Sequence, residues 1–166
     1  YPMVMRRLML LKPEIVAHAT LLEAVLNQVR ASALPVISAR KLRMSGPAAR
    51  RFYEAHKGKF FYGRLVRHMS SGESIALVLS SDSGQARSLV GGGKIWPPRS
   101  VVDATTANGL RHLFSISDVR NVAHVSDDER AEEELRIIEE AGGEELLWER
   151  KILYPEKEFI HELNHE

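Results

Sequence analysis

The chain has 166 residues, of which 44% are hydrophobic and 27% are charged, and it contains no cysteine. This length and composition are typical of one soluble globular domain with its own core. The absence of cysteine excludes disulfide bridges, thiolate catalysis and cysteine-ligated zinc. No apolar run of about 18 residues is present to span a bilayer, and the first residues lack the order of a secretory signal. We therefore expect no membrane partner and a cytoplasmic location.

The net charge of +1 conceals a strong asymmetry along the chain. Residues 1–126 contain 18 Lys and Arg against 7 Asp and Glu, whereas residues 127–166 contain 5 against 15. A basic body favours an anionic ligand, and the acidic end would either fold back onto the body or meet a basic partner. The alternative is a set of solvated helix faces. Because the basic residues are scattered and carry no aromatic strip among them, we expect no nucleic acid partner.

Hydrophobic periodicity predicts alternating strands and helices along the chain. The predicted strands are 4–11, 33–42, 74–79 and 119–124, and the predicted helices cover the apolar face from 21 to 29, then 45–58, 64–69, 83–90 and 127–140. Ser45 is the expected N-cap of the second helix, with Pro47 in its first turn. The order predicts a ferredoxin-like βαββαβ fold of the α/β (α+β) class, with a four-stranded antiparallel sheet and extra helices. We place this domain at residues 1–142 and an acidic tail at 143–166.

One histidine lies between an apolar strand-like run and the acidic run. Ser126 followed by Glu129 reads as a capping box, which predicts that a helix starts directly after His124. An imidazole held at such a junction can attack a phosphoryl group, since free amide hydrogens nearby favour an anion. The alternative is a histidine packed at the end of a strand.

Two other patterns in the sequence are candidate ligand sites. His161 and His165 are spaced as helical zinc ligands, but their place near the end of the sequence argues against a metal site. The run from Gly91 to Lys94 resembles a phosphate-binding loop without the spacing of a P-loop. Neither pattern predicts a site by itself.

A set of separated motifs, in a fixed order, resembles the nucleoside diphosphate kinases over about residues 8–140. The motifs are Lys12-Pro13-Glu14 closing the first strand, Phe52-Tyr53, Gly58 to Phe61, Met69 to Gly72, Arg87 before Leu-Val-Gly, Arg111 ten residues before Asn121, and Asn121-x-x-His124-x-Ser126-Asp127. The resemblance implies the nucleoside diphosphate kinase fold. It also implies ATP and nucleoside diphosphates as ligands.

The chemistry that the resemblance implies is a two-step phosphoryl transfer. His124 takes the γ-phosphoryl group of a nucleoside triphosphate and passes it to a nucleoside diphosphate. A neutral imidazole nitrogen is available for this near pH 7. Lys12, Arg87 and Arg111 would neutralise the charge that spreads over the phosphate oxygens.

The same resemblance implies contacts to the rest of the nucleotide. Asn121 and Lys12 would hold the sugar hydroxyls, Tyr53 would steady the site beside His124, and Phe60 would stack on the base. Mg²⁺ would arrive bound to the nucleotide, so no metal ligands are expected from the protein.

The chain departs from the family pattern at several positions. Val125 replaces the usual glycine after the histidine, Gly93 replaces a threonine, Asp118 replaces an apolar residue, and an insertion around 96–99 lengthens one loop. The long loop resembles the ciliary and flagellar branch of the family, which gives an alternative hypothesis of an axonemal structural module with little or no turnover. Its partners would be protein neighbours that contact Trp148, Tyr154 and Phe159 of the tail, and the altered loop leaves homo-oligomer formation open.

Overall fold

The computed structural model of the protein describes residues 5–80, 83–91 and 109–148. Within these ranges the strands are β1 (Arg7–Leu11), β2 (Val36–Arg43), β3 (Glu73–Leu79), β4 (Ala123–Val125) and β5 (Glu144–Leu146). The helices are α1 (Pro13–Val16), α2 (Ala19–Ala31), α3 (Gly46–Phe52), α4 (Tyr62–Ser70), α5 (Ser83–Val90), α6 (Leu110–Phe114) and α7 (Ala131–Ala141), with a 3-10 turn at Glu54–His56. None of the helices in the described ranges has the length and apolar character needed to cross a bilayer.

The strands form one sheet in the order β4-β1-β3-β2-β5, and every neighbouring pair is antiparallel. Strand β1 has β3 on one side and β4 on the other, and all five of its residues are buried. The first four strands confirm the predicted ferredoxin-like arrangement. A fifth strand, β5, extends the predicted four-stranded sheet.

Strand β5 could not be read from the sequence because it has three residues, two of which are glutamates. Its pairing with β2 places Glu145 opposite Arg40 and the preceding glutamate opposite Lys41. Opposite charges facing each other across two strands are stabilising. Gly143 precedes β5 at φ +94°, and a Cβ there would lie 2.3 Å from the Lys41 carbonyl oxygen, so glycine is required. The first residues of the predicted tail therefore join the sheet.

Apolar clusters cover both faces of the sheet, and β1 contributes to both because its side chains alternate. Met9 and Leu11 belong to the cluster that includes α2, whose predicted apolar face is indeed turned inward. Leu8 and Leu10 belong to the cluster that includes residues of α3, α4 and α7. The histidine of β4 lies opposite Leu10 in the ladder, so the candidate site is on the α3–α7 side.

The predicted start of the acidic helix is wrong, and so is its capping box. Helix α7 begins at Ala131, and the buried Ser126 hydroxyl has no hydrogen-bond partner among the described residues. Asp127 instead forms an ion pair with Arg87 of α5. The residues between β4 and α7 are thus held by a long-range ion pair, which local sequence cannot reveal.

Helix α7 lies against the basic body of the chain. Arg51 of α3 forms ion pairs with Glu133 and Glu140 at 3.6 and 3.3 Å, and Arg6 pairs with two further glutamates of the same helix. Exposed ion pairs of this kind are individually weak. Together with the apolar face of α7 they show that this part of the acidic segment folds back onto the body.

Trp148, one of the three predicted anchors, packs on its own domain. The guanidinium of Arg30 lies 4.7 Å from the centroid of the indole ring, and the ring contacts the cluster on the α2 side. The other two anchors, Tyr154 and Phe159, lie outside the described residues, as does Gly93. The domain boundary at residue 142 stays a prediction.

Ser45 and Ser126 provide a matched test of the capping assignment. Ser45 Oγ accepts a hydrogen bond from the Ala48 N–H at 3.2 Å, so Ser45→Ala is expected to lower the free energy of unfolding by about 1 kcal/mol. Ser126→Ala removes a buried hydroxyl without a described partner and is expected to cost less, or to stabilise. Urea unfolding of both variants measures the difference, and equal losses would contradict the assignment.

Candidate active site

His124 lies in the middle of β4 with a side chain that is 20% exposed. Its Nε2 is 2.6 Å from Oε1 and 3.1 Å from Oε2 of Glu134. Glu134 is only 2% exposed, although it belongs to the acidic helix α7. The imidazole of His124 is therefore held in place by the buried carboxyl group of Glu134.

This hydrogen bond assigns the two ring nitrogens of His124. A carboxylate can only accept a hydrogen bond. Nε2 therefore carries the proton and donates a hydrogen bond to Glu134. In the neutral ring the lone pair is then on Nδ1. Nδ1 is then the ring nitrogen whose lone pair is free to meet a ligand, and the Glu134 carboxylate lies beside the opposite nitrogen.

Aromatic rings fix the orientation of the imidazole. The ring centroids of Phe52 and Tyr53 lie 4.8 and 5.5 Å from that of His124, both in edge-on geometry. The Tyr53 hydroxyl is buried and has no hydrogen-bond partner among the described residues. Burial, reinforced by Glu134 and Glu14, raises the pKa of Tyr53. The phenol thus stays protonated and can donate to a ligand beside His124.

Lys12 and Asn121 meet next to this ring cluster. The Lys12 ammonium donates to Asn121 Oδ1 and, at 3.1 Å, to the carbonyl of Val119. Lys12 is 4% exposed, and burial lowers its pKa to about 8 against the opposing attraction of Glu14. The amide of half-buried Asn121 therefore has a hydrogen-bond partner. The ammonium is still mostly protonated at pH 7.

Arg111 of α6 fastens the segment that leads into β4. Its guanidinium donates to the carbonyls of Gly91, Asn121 and Ala123, at 3.3, 3.2 and 2.8 Å. These bonds explain why β4 is shorter than the predicted strand 119–124. Carbonyls that would have extended the ladder are taken by Arg111 and Lys12 instead.

The other two predicted ligands lie towards the surface. Arg87 of α5 is half-exposed in its ion pair with Asp127. Phe60 is 86% exposed, with Phe61 edge-on at 5.4 Å and the Arg64 guanidinium 5.9 Å from its ring centroid. Its open face leaves room for a flat partner.

Glu134 is a site residue that the sequence motifs do not predict. It stands among surface glutamates, yet it shares a helical face with Ala131, Leu135 and Ile138, all of which are buried. A carboxyl group on the apolar face of an amphipathic helix is a signal of a buried partner, and helical phase would have supplied it.

Asp118, which replaces an apolar residue of the family pattern, has a partner of its own. Its two carboxylate oxygens accept hydrogen bonds from Arg64 at 2.9 and 2.7 Å. The hydrogen bonds from Arg64 lower the pKa of Asp118. This exposed pair joins α4 to the segment before Asn121.

A comparison against known protein families covers most of the chain. Residues 5–141 match the family model described as nucleoside diphosphate kinase. The chain belongs to the nucleoside diphosphate kinase family. That match covers the whole described sheet except β5.

Individual relatives support the assignment. The chain is 33% identical over 124 residues to the nucleoside diphosphate kinase of Chlorobium luteolum, an alignment that covers 74% of this chain and 83% of the relative. It is 37% identical over 122 residues to human nucleoside diphosphate kinase 6, covering 72% of this chain but only 63% of the relative. The aligned part thus spans less than two thirds of the human protein.

Solved structures show the same fold. The Aquifex aeolicus nucleoside diphosphate kinase superposes with a TM-score of 0.67 at 25% identity, over 80% of this chain and 93% of the other. The Halobacterium salinarum enzyme, solved in complex with CDP, gives a TM-score of 0.67 at 22% identity, over 80% and 85%. The predicted nucleoside diphosphate kinase fold is confirmed.

The burial of Lys12 predicts a pH dependence of stability. The ordinary pKa of 10.5 applies to the unfolded chain, whereas the folded value is about 8, so the unfolded state binds more protons between these values. Stability contributed at this position therefore rises with pH across that window. Unfolding of wild type and Lys12→Met between pH 7 and 10.5 should show wild type gaining relative to the variant, and a constant difference would contradict the burial.

Proposed function

We propose that the protein is a phosphotransferase that moves the γ-phosphoryl group of ATP to a nucleoside diphosphate through a phosphohistidine at His124. In the first step Nδ1 attacks the γ-phosphorus, the N–P bond forms, and the bond from phosphorus to the bridging oxygen of the departing diphosphate breaks. In the second step an acceptor diphosphate attacks the phosphoryl group and His124 is regenerated.

The observation that carries this proposal is the hydrogen bond from Nε2 of His124 to buried Glu134. It leaves Nδ1 as the nucleophile and places an anion where the ring becomes positive. In a surface histidine without such a partner, neither tautomer would be favoured as strongly.

Three further groups suit the phosphate. The buried ammonium of Lys12 is bonded to Asn121, three residues before His124, and the unpartnered hydroxyl of Tyr53 belongs to a ring that contacts the imidazole. Both groups are donors. Arg87 would exchange its exposed ion pair with Asp127 for a phosphate oxygen, at modest cost since that pair is solvated. The two cations and the hydroxyl would stabilise the negative charge on the phosphate oxygens in the transition state.

Sugar and base would lie further out. Asn121 is fixed beside Lys12 and would meet the sugar hydroxyls, and the open ring of Phe60 would stack on the base with little base preference. The described residues hold no group of three or more His, Asp or Glu side chains able to bind a metal. As the resemblance to the family implies, Mg²⁺ is proposed to enter with the nucleotide, where it offsets phosphate charge.

Val125, in place of the family glycine, is compatible with this chemistry. It follows His124 in the strand, so its side chain points to the opposite face of the sheet. There it packs on the cluster that contains Met9 and Leu11. Its methyl groups do not cover the imidazole. The structural-module alternative and its ciliary location remain predictions.

The first test is formation of the phosphoenzyme. Brief incubation with magnesium and γ-labelled ATP, quenched with EDTA, should label the wild-type chain in an acid-labile, base-stable form that transfers to GDP. His124→Ala should take no label, since the nucleophile is gone, whereas the exposed His112→Ala control should label normally. A wild-type chain that binds ATP without labelling would contradict the proposal and favour the structural module.

A second test addresses the carboxyl group behind the ring. Glu134→Gln keeps the hydrogen-bond acceptor but removes the charge, so kcat is expected to fall on the order of 10²-fold with little change in KM. Glu133→Gln, a half-buried neighbour on α7, should leave kcat near wild type. Steady-state transfer from ATP to a nucleoside diphosphate measures both, and equal rates for the two variants would refute the role of Glu134.

A further inference from the structure

A second buried pair lies behind the segment that leads into β4. Glu14 Oε2 is 2.6 Å from His68 Nε2, and their side chains are 7% and 10% exposed. Glu14 is the second residue of helix α1 and His68 is on α4, so two elements far apart in the sequence meet here. The catalytic chemistry proposed above makes no use of His68.

The other oxygen of Glu14 holds a strained residue. Oε1 accepts a hydrogen bond from the Val122 N–H at 3.0 Å, and Val122 has φ +81°. A β-branched residue in this left-handed region costs about 1–3 kcal/mol and persists only where its surroundings enforce it. The hydrogen bond from the Val122 N–H to Glu14 is one of the contacts that enforce this conformation.

The strained residue sits between the functional side chains. Asn121 precedes Val122, and His124 follows two residues later. The carbonyl of Val122 accepts from the Lys12 N–H at 2.8 Å, which ties the same turn to the end of β1. The direction of β4, and with it the position of the imidazole, therefore depends on this turn.

We propose that His68 is a positioning residue for His124, acting through Glu14 and the Val122 turn. Glu14 can hold the Val122 amide in one place only if its own carboxyl group is fixed, and the His68 Nε2–H fixes it. Burial raises the pKa of Glu14, but the hydrogen bonds from His68 and the Val122 amide lower it more. The carboxylate form that accepts both bonds is thus favoured.

The site has room for substitutions that leave the fold intact. Glu14 and His68 line a surface cavity of about 800 Å³ together with Ser71, Gly72 and Arg120. His68→Phe keeps a flat ring there but removes the donor. His68→Gln supplies an amide N–H that can reach Glu14 in place of Nε2–H.

The kinetic arm of the test, which rests on the proposed function, compares these variants in phosphoryl transfer. His68→Phe should lower the rate of His124 labelling about tenfold or more, since a small displacement of a reacting group is costly, while KM for nucleotide stays close to wild type. Its melting temperature should fall, because Glu14 loses a buried partner, so the rates are compared well below that temperature, where every variant is folded. His68→Gln should retain most of the rate. The exposed His112→Phe is the matched control. Full rates in His68→Phe, or equal losses in Phe and Gln, would overturn the inference.

A spectroscopic arm does not depend on kinase activity. In wild-type protein the Val122 amide, bonded to a carboxylate, should resonate downfield and exchange slowly, and His68→Phe should shift this signal and those of the His124 ring. His68→Gln should largely restore them. If the wild-type chain takes no phosphoryl group, the proposed function fails, and these spectra decide the positioning role alone. Unchanged Val122 and His124 signals in His68→Phe would overturn it.

Discussion

The hydrogen bond between His124 and Glu134 is the interaction on which the rest of the site depends. A carboxylate that is almost fully buried is costly unless a partner satisfies it, and the imidazole is that partner. The bond joins the middle of β4 to the inner face of α7. It favours one tautomer of the ring, so a packing requirement of the helix also decides which ring nitrogen keeps its lone pair free.

The segment before β4 obeys a related constraint. Its backbone leaves the sheet ladder, and cationic side chains satisfy its carbonyls: Lys12 takes one and Arg111 takes three across this region and the end of α5. Lys12 is therefore both a structural donor and a charge near the imidazole. Its pKa is lowered because burial disfavours the charged ammonium.

The opposite charges at the two ends of the sequence are used to assemble the fold. The glutamates of α7 face Arg6 and Arg51, and those of β5 face Arg40 and Lys41 across the strand pair. Arg87 likewise forms an exposed ion pair with Asp127, the first residue of the acidic segment. The nearly neutral sequence thus folds into a body whose acidic segment serves as its complement.

The strands and helices that have a clear hydrophobic period were predictable from the local sequence. Strands β1 to β3, the apolar face of α2, helix α5 and the Ser45 cap follow from patterns within a few neighbouring residues. The ordered motifs also identified the family, and they placed Lys12, Tyr53, Asn121 and His124, which the fold brings together.

The other features of the fold and the site arise only when distant parts of the chain pack together. The partnership of Glu134 with His124, the late start of α7, strand β5 and the Glu14–His68 pair each join residues distant in the chain. In the sequence a buried glutamate looks like its solvated neighbours, and Ser126 looks like a cap. Their roles are settled by which side chain faces them, because burial and long-range hydrogen bonds exist only once the elements have packed.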